Sequence, residues 1–148
     1  TLAIGDQSLQ VVAKQGTYYT TRNTGGPITC SVDYESADGL SPDFSELLTA
    51  GKVSDASGTT YASVDGGASS SNGARAMLQV FSLTSGSVTV TIEDSPNDAT
   101  YGTLATFTAV TGKTSEAIEI SGTQERYTRI VTSGTFSTCV LACSYARL

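Results

Sequence analysis

The chain contains no histidine and no tryptophan, and the first absence narrows its chemistry. Without histidine, the Ser-His-Asp and Cys-His arrangements of hydrolases are excluded. A serine activated by lysine would have to use Lys14, Lys52 or Lys113, and no recognisable turn places a serine beside any of them. We therefore expect that the chain is not an enzyme and has no catalytic residues and no cofactor.

Charged residues are also scarce, at 15% of the 148 residues, against about a quarter in an average protein. The net charge is −6. Residues 1–71 hold three basic and eight acidic residues, whereas residues 72–148 hold five and six. Because no basic patch is present, we expect no sequence-specific binding of nucleic acid. An acidic surface would suit a passage through which DNA slides without sticking.

Long apolar runs are absent, and no stretch approaches the roughly 20 residues that a membrane-spanning helix needs. No membrane association is therefore expected. The first residues, 1–6, have neither a basic start nor a long apolar run, so the sequence indicates no signal peptide.

Cysteine occurs three times, as Cys30, Cys139 and Cys143, and an odd count argues against a closed disulfide framework. The last two are four residues apart in one predicted strand, which places them about 13 Å apart on one face. That separation is too large for a disulfide. No histidine or Cys-x-x-Cys spacing indicates zinc. We expect buried, reduced thiols that pack as small apolar side chains.

The second half of the chain has the two-residue alternation of β-strands. Turn residues recur roughly every 8–12 positions, at Ser85-Gly86, Glu93–Thr100, Gly112-Lys113, Gly122-Thr123 and Ser133-Gly134. This rhythm predicts an all-β fold, an antiparallel β-sandwich of the Ig-like or jelly-roll-like kind. The short first turn predicts a tight hairpin between the first two strands. The predicted strands are Met77–Leu83, Val88–Ile92, Tyr101–Val110, Ala117–Ile120, Tyr127–Val131 and Phe136–Tyr145.

The first half indicates an extended N-terminal arm and a partial sheet. Its pattern predicts strands Leu9–Ala13 and Thr17–Thr20 around a turn at Gln15-Gly16, a loop at Thr24–Pro27 and a strand over Ile28–Tyr34. The segment Pro42–Leu48 is consistent with a helix capped by Ser41, and equally with a strand. The Gly66–Gly73 segment predicts a flexible loop. We divide the chain into an arm and partial sheet at 1–58 and a sandwich core at 59–148, or take 1–148 as one domain.

Three polar groups are candidate sites. The loop Glu93–Thr100 concentrates oxygen ligands that suit calcium, although Asx turns in an exposed loop explain the same residues. Glu35 with Asp65 would be a glycosidase-type pair, but any chain with 14 acidic residues offers such pairs. Gly66–Gly73 lacks the Gly-Lys-Ser/Thr of a phosphate loop. We therefore assign no metal site and no cofactor-binding residues.

Aromatic and basic side chains offer one further possibility. The seven tyrosines could form a stacking platform for sugars if Tyr61, Tyr101 and the 93–100 loop met on one concave patch. Packing within strands explains the same residues. Arg126 and Arg129 flank Tyr127, and we expect one of them to pair with Glu116 or Glu119 across the sheet.

Several segments follow one another in a characteristic order: Ser63–Gly73, Ala76–Val80, Val88–Ser95, Leu104–Thr111, Arg126–Arg129 and Tyr145–Arg147. In this order and spacing, the chain from about residue 31 to its end resembles the C-terminal portion of tail tube-type proteins of tailed bacteriophages. Tyr101 stands where a Trp is usual in that family. The resemblance implies a β-sandwich in a virion protein, and it implies no catalytic residues.

The sequence thus predicts a bacteriophage virion structural protein that self-assembles, as a tail tube subunit stacked in rings. Proteins of that family usually have a longer N-terminal tube-forming region. The alternatives are a capsid decoration (cement) protein, held through Thr1–Thr24, and a glycan-binding β-sandwich module. The expected partners are copies of the chain in a homo-oligomer and other phage virion proteins. The expected location is the virion, after assembly in the host bacterial cytoplasm.

Overall fold

The computed structural model describes the backbone of residues 1–10, 13–22, 28–36 and 43–148, and the side chains of residues 1–10 and 44–148. Every regular element in these residues is a β-strand. Within the same residues, no helix has the length and apolar character that spanning a bilayer would require. The strands are β1 (Gln7–Gln10), β2 (Ala13–Arg22), β3 (Ile28–Ser36), β4 (Asp43–Leu47), β5 (Val53–Asp55), β6 (Val64–Asp65), β7 (Ala74–Leu83), β8 (Gly86–Ser95), β9 (Gly102–Thr106), β10 (Thr114–Ile120), β11 (Tyr127–Phe136) and β12 (Cys139–Arg147).

The chain divides into two compact units. One unit consists of Thr1–Ser8 and Phe44–Leu148, and the other consists of Leu9–Asp43. The larger unit therefore contains β5 and nearly all of β4, which precede residue 58. In the smaller unit, β2 pairs with β3 in antiparallel register.

The larger unit contains two antiparallel sheets, which confirms the predicted all-β sandwich. Sheet 1 has the strand order β1-β4-β12-β7-β10, with β5 also paired to β12, and sheet 2 has the order β6-β11-β8-β9. Inner-face residues of both sheets form one apolar cluster because each strand alternates between core and surface. The central members, all 0% exposed, are Leu78, Val80, Val88, Val90, Ile92, Ile130 and Leu141.

The predicted hairpin between the first two strands of the second half is wrong. β7 pairs with β10 and β12, whereas β8 pairs with β9 and β11. The chain crosses between the sheets at Thr84-Ser85 and crosses back at Ser137-Thr138. These crossings lie side by side, because Thr84 N–H donates to Thr138 O at 2.9 Å and Ser137 N–H donates to Ser85 O at 3.2 Å. The short connection Thr84-Ser85 therefore joins β7 in sheet 1 to β8 in sheet 2. The inner face of each of these strands packs against the opposite sheet.

The turn predicted at Ser133-Gly134 is also wrong, because β11 continues to Phe136. Gly134 has a φ of 117° and Gly86 a φ of 88°. A Cβ atom at either position would collide with a backbone carbonyl on the partner strand. Both glycines therefore permit close approach of β8 and β11.

Two predictions in the first half need correction. The turn at Gln15-Gly16 is wrong, because β2 runs through it with a register shift between Gln15 and Thr17, a β-bulge. The helix reading of 42–48 is wrong and the strand reading is right. β4 pairs with β12, with Leu47 opposite Ser144. The predicted cap Ser41 and the Thr24–Pro27 loop lie outside the described residues.

Candidate functional site

β4 carries an aromatic side chain out of the core at one end of the sandwich. Phe44 and Glu46 project from one side of this strand, since they alternate with Ser45 and Leu47, and Leu48 follows the last residue of the strand. Leu48 is fully buried, whereas Phe44 is 80% exposed. A cavity of about 210 Å³ lies beside Phe44, and its other lining residues are Gln7, Ser45, Glu46, Gly66, Tyr145 and Arg147.

Arg147 lines this cavity and is fixed by hydrogen bonds. Its guanidinium donates to the carbonyl oxygens of Ala68 at 2.7 Å, Glu125 at 2.6 Å and Arg126 at 2.8 Å, and to Thr128 Oγ1 at 3.2 Å. These acceptors belong to two loops and to β11. Arg147 therefore ties the end of β12 to sheet 2.

The Gly66–Gly73 segment, predicted as a flexible loop, has several backbone anchors. Ser70 and Gln124 exchange backbone hydrogen bonds of 3.0 and 2.7 Å. The Gly67 N–H donates to Asp65 Oδ1 at 2.8 Å. A side chain at Gly66 would collide with the Arg147 guanidinium, so glycine is needed for this contact.

Phe81 is a second exposed aromatic residue, and it lies on the outer face of sheet 1 near the C-terminal end of β7. Leu141 pairs with Val80 and Val140 pairs with Ser82, so Phe81 is the extra residue of a β-bulge. A bulge re-aims a side chain, and Phe81 is 41% exposed. The Lys52 ammonium lies 5.7 Å from the centroid of its ring, a cation–π contact.

The carboxylates of the Glu93–Thr100 loop, which was considered for calcium, have separate protein partners. Asp98 accepts hydrogen bonds from Ser63 Oγ at 2.6 Å and from the Tyr101 hydroxyl. These bonds, the one from Ser63 foremost, lower the pKa of Asp98. Glu93 forms an ion pair with Arg129 at 2.8 Å, and Asp94 accepts the Glu125 N–H at 2.8 Å.

The same loop also contains an Asx turn, which was the alternative explanation for its polar residues. Asn97 Oδ1 accepts the N–H groups of Ala99 at 3.1 Å and Thr100 at 3.0 Å. In the part of the chain with described side chains, no group of three histidine, cysteine or acidic residues is placed to hold a metal ion.

The predicted partners of the two arginines are wrong. Arg126 binds both carboxylate oxygens of Asp65 at 2.7 Å, and Arg129 pairs with Glu93. Glu119 pairs instead with Arg75 at 2.7 Å. The physical reason is the strand pairing, since β10 belongs to sheet 1 and β11 to sheet 2. The hydrogen bond from Arg126 lowers the pKa of Asp65 to about 2.

The two tyrosines of the predicted sugar platform serve different carboxylates. The Tyr61 hydroxyl donates to Asp55 Oδ1 at 2.7 Å, and the other Asp55 oxygen accepts Thr132 Oγ1 at 3.0 Å. Tyr61 also packs against the core. The ring of Tyr101 is covered by the Arg129 guanidinium, 3.5 Å from its centroid. Each ring therefore has an intramolecular contact where a sugar would stack.

The prediction of buried thiols is confirmed for Cys139 and Cys143, which are free and at most 1% exposed. Burial raises the pKa of Cys143 to about 12 and also raises that of Cys139. Neither thiol is therefore placed to act as a nucleophile at neutral pH. The side chains of Cys30, Glu35 and Lys14, also considered from the sequence, lie outside the described residues.

Sequence reasoning missed the two exposed phenylalanines and the anchoring by Arg147. A signal for Phe81 exists, because it falls in the outward phase of a strand whose buried residues lie at 74, 76, 78 and 80. The hydrogen bonds of Arg147 are made to loops distant in sequence, so no local sequence pattern could predict them. Comparison with known proteins found no matching family profile, no matching curated protein and no matching solved structure.

Proposed function

We propose that this chain is a structural protein of a bacteriophage particle, a tail tube subunit that assembles with copies of itself. The observation that carries the proposal is the presentation of Phe44. Its side chain is 80% exposed beside an open cavity, on a strand that otherwise contributes to the sandwich. Exposed apolar surface next to a concave, polar-rimmed site is typical of protein–protein contacts.

The use of the charged side chains supports the same proposal. Asp65, Asp98 and three arginines, Arg126, Arg129 and Arg147, bind other groups of the same unit. Such contacts stabilise a rigid sandwich and leave little polar chemistry for a substrate. A rigid module with apolar contact points suits a repeated building block.

Charge and sequence order add to this support. The net charge of −6 suits a passage for DNA that must not adhere. The order of segments from Ser63–Gly73 to Tyr145–Arg147 resembles that of phage tail proteins, and these segments include parts of the core strands β7, β8 and β12.

Negative-stain electron microscopy of the purified full chain tests the proposal. We expect long hollow tubes built of regularly spaced rings. Discrete monomers or trimers that bind phage shells would replace the tube subunit with the decoration protein. Particles that neither assemble nor bind shells would overturn both.

A further inference from the structure

An asparagine followed by glycine can be modified by its own main chain. The backbone nitrogen of the glycine attacks the side-chain carbonyl carbon, Cγ, and a cyclic succinimide forms as ammonia leaves. Water then opens the ring to aspartate or isoaspartate. Glycine favours the reaction because no Cβ shields its nitrogen. The chain contains one such dipeptide, Asn72-Gly73, and aspartate precedes glycine at Asp38 and Asp65. Asp38 lies outside the described residues.

The two reacting groups of Asn72-Gly73 are not engaged elsewhere. Asn72 is exposed, and its carboxamide has no hydrogen-bond partner among the described residues. Its backbone N–H donates to Ser70 Oγ at 3.3 Å. The Gly73 N–H has no acceptor in the described part of the chain, whereas the Gly73 carbonyl accepts the Leu148 N–H at 3.0 Å. The carboxamide and the nitrogen that would attack it are therefore both available.

The fold itself requires glycine after Asn72. Gly73 has a φ of 91°, which favours glycine. A Cβ atom at this position would lie 2.8 Å from the carbonyl oxygen of Ile120. A larger residue, which would slow the attack, is therefore excluded where the chain enters β7.

Asp65 also precedes a glycine, but its carboxylate is held by other groups. Arg126 donates to both carboxylate oxygens at 2.7 Å, and the Gly67 N–H donates to Oδ1 at 2.8 Å. Ring closure on an aspartate expels water and needs the protonated carboxyl group. The hydrogen bond from Arg126 lowers the pKa of Asp65 to about 2, so this carboxyl group is ionised at neutral pH.

Asn97 is the other asparagine whose side chain is described, and it is fixed in the Asx turn. Its Oδ1 accepts hydrogen bonds from Ser95 Oγ at 3.0 Å and from the N–H groups of Ala99 at 3.1 Å and Thr100 at 3.0 Å. The next residue is Asp98, whose Cβ shields the attacking nitrogen. The structure therefore separates one available side chain from two restrained ones.

We propose that Asn72 is a site of spontaneous deamidation in the folded protein, whereas Asp65 and Asn97 are protected by their hydrogen bonds. The Cγ–Nδ2 bond of Asn72 breaks, a bond from Cγ to the Gly73 nitrogen forms, and the leaving nitrogen takes the Gly73 proton to become ammonia. Water then adds to one of the two ring carbonyls. Addition at Cγ gives aspartate, and addition at the main-chain carbonyl gives isoaspartate.

The reaction uses water alone and occurs within one copy, so the inference does not depend on the proposed function. It adds one negative charge to a chain whose net charge is already −6. The isoaspartate form also routes the main chain through the side-chain carbons directly before β7. Aged protein is therefore a mixture of charge variants that differ at one position.

Incubation of the purified full chain at mildly alkaline pH, folded and in urea, tests the proposal. Tryptic peptides 53–75 and 76–113 separate Asn72 from Asn97, and mass spectrometry measures the conversion of each. We expect folding to slow Asn72 by less than about tenfold and Asn97 by about tenfold or more, since only Asn97 must first break hydrogen bonds. If Asn72 stays intact in the folded chain while it converts in urea, the site is overturned.

Two matched variants locate the charge change. Asn72→Gln is expected to abolish the acidic form seen in ion-exchange chromatography, because the six-membered ring that glutamine would need forms far more slowly. Asn97→Gln is the control and is expected to accumulate the acidic form as the parent does. An acidic form that accumulates equally in Asn72→Gln would overturn the assignment.

Arg126→Gln tests the protection of Asp65. The Arg126 side chain is 44% exposed, so the variant is expected to fold. At pH 5 the released carboxyl group is protonated more often, and isoaspartate at position 65 is expected to form about tenfold or more faster than in the parent. Isoaspartyl methyltransferase labelling of peptide 53–75 at unchanged mass reports this product. Equal rates in the parent and in Arg126→Gln would overturn the assigned protection.

Discussion

The two sheets have central strand pairs that are alike in length and alternation but differ near the crossings between the sheets. In sheet 1, β7 and β12 contain no glycine, and the pair accommodates an extra residue, Phe81, as a bulge. In sheet 2, β8 and β11 stay in register from Tyr127↔Ser95 to Phe136↔Gly86, with glycine at positions 86 and 134. One pair therefore turns a side chain outward, and the other brings two backbones together.

This difference shows how one alternating pattern serves two purposes. The inner faces of both pairs build the same core. The bulge turns an aromatic ring outward, whereas the two glycines let β8 and β11 approach closely next to the sheet crossings, where Ser85 and Ser137 are hydrogen-bonded. Sheet 1 is thus the layer that presents Phe44 and Phe81, whereas ion pairs of arginine occur in both sheets, at Arg75–Glu119 in sheet 1 and at Arg129–Glu93 in sheet 2.

Truncation of the core is expected to affect both sheets equally and most strongly. Leu78→Ala in β7 and Ile130→Ala in β11 each remove a fully buried side chain. Each should lower the free energy of unfolding in urea by about 3 kcal/mol, through lost burial and a cavity. Met77→Ala on the outer face of β7 is the matched control and should cost less than about 1 kcal/mol. Equal losses for Leu78→Ala and Met77→Ala would contradict the assigned faces.

Substitution of a glycine in sheet 2 is expected to destabilise the protein, because only the β8–β11 pair depends on glycine for close approach of its strands. Gly134→Ala places a methyl group against the Ser87 carbonyl at a φ of 117°. The backbone conformation alone should cost about 1–3 kcal/mol of unfolding free energy. Gly112→Ala, where no atom lies within 4 Å of the added carbon, is the control with little expected change. A Gly134→Ala protein as stable as the Gly112→Ala protein would rule out the close approach of β8 and β11.

Alkaline pH is expected to lower the free energy of unfolding through buried ionisable side chains of sheet 1. Burial raises the pKa of Cys143 and of Tyr145, both on the inner face of β12, to about 12. Because the folded-state pKa of Cys143 lies above the unfolded value of about 8.5, its contribution is complete below that pH and is lost as pH rises toward 12. The expected loss is roughly 1–2 kcal/mol at pH 10.

The control for this titration is Cys143→Ala. Its unfolding free energy should be lower at pH 7 but should fall less steeply between pH 8 and 10. The buried inner-face residues of β8 and β11 that anchor the core, Val88, Val90, Ile92 and Ile130, have no ionisable group. An unchanged slope in Cys143→Ala would place the alkaline sensitivity elsewhere.

Strand identity and burial were predictable from the sequence. The alternation through Val88, Val90 and Ile92 has a physical cause, since successive side chains of a strand point to opposite faces. The burial of Cys139 and Cys143 followed from the same phase. The strand partners were not predictable, because the short Ser85-Gly86 connection is compatible both with a hairpin and with a crossing between sheets.

The candidate site shows the same division. One of Arg126 and Arg129 was expected to form an ion pair, but both do, and their acceptors, Asp65 and Glu93, depend on which strands became neighbours. Phe44 was placed in a segment of undecided structure, and only its pairing in β4 directs it past the end of the core.

The sequence by itself determined an all-β chain with an apolar inner face, because the two-residue period leaves few other ways to bury that surface. Tertiary structure alone decided the order of strands in each sheet, the ion-pair partners and the exposure of Phe44 and Phe81. These features depend on residues far apart in the chain meeting in space, and local alternation carries no information about which of them meet.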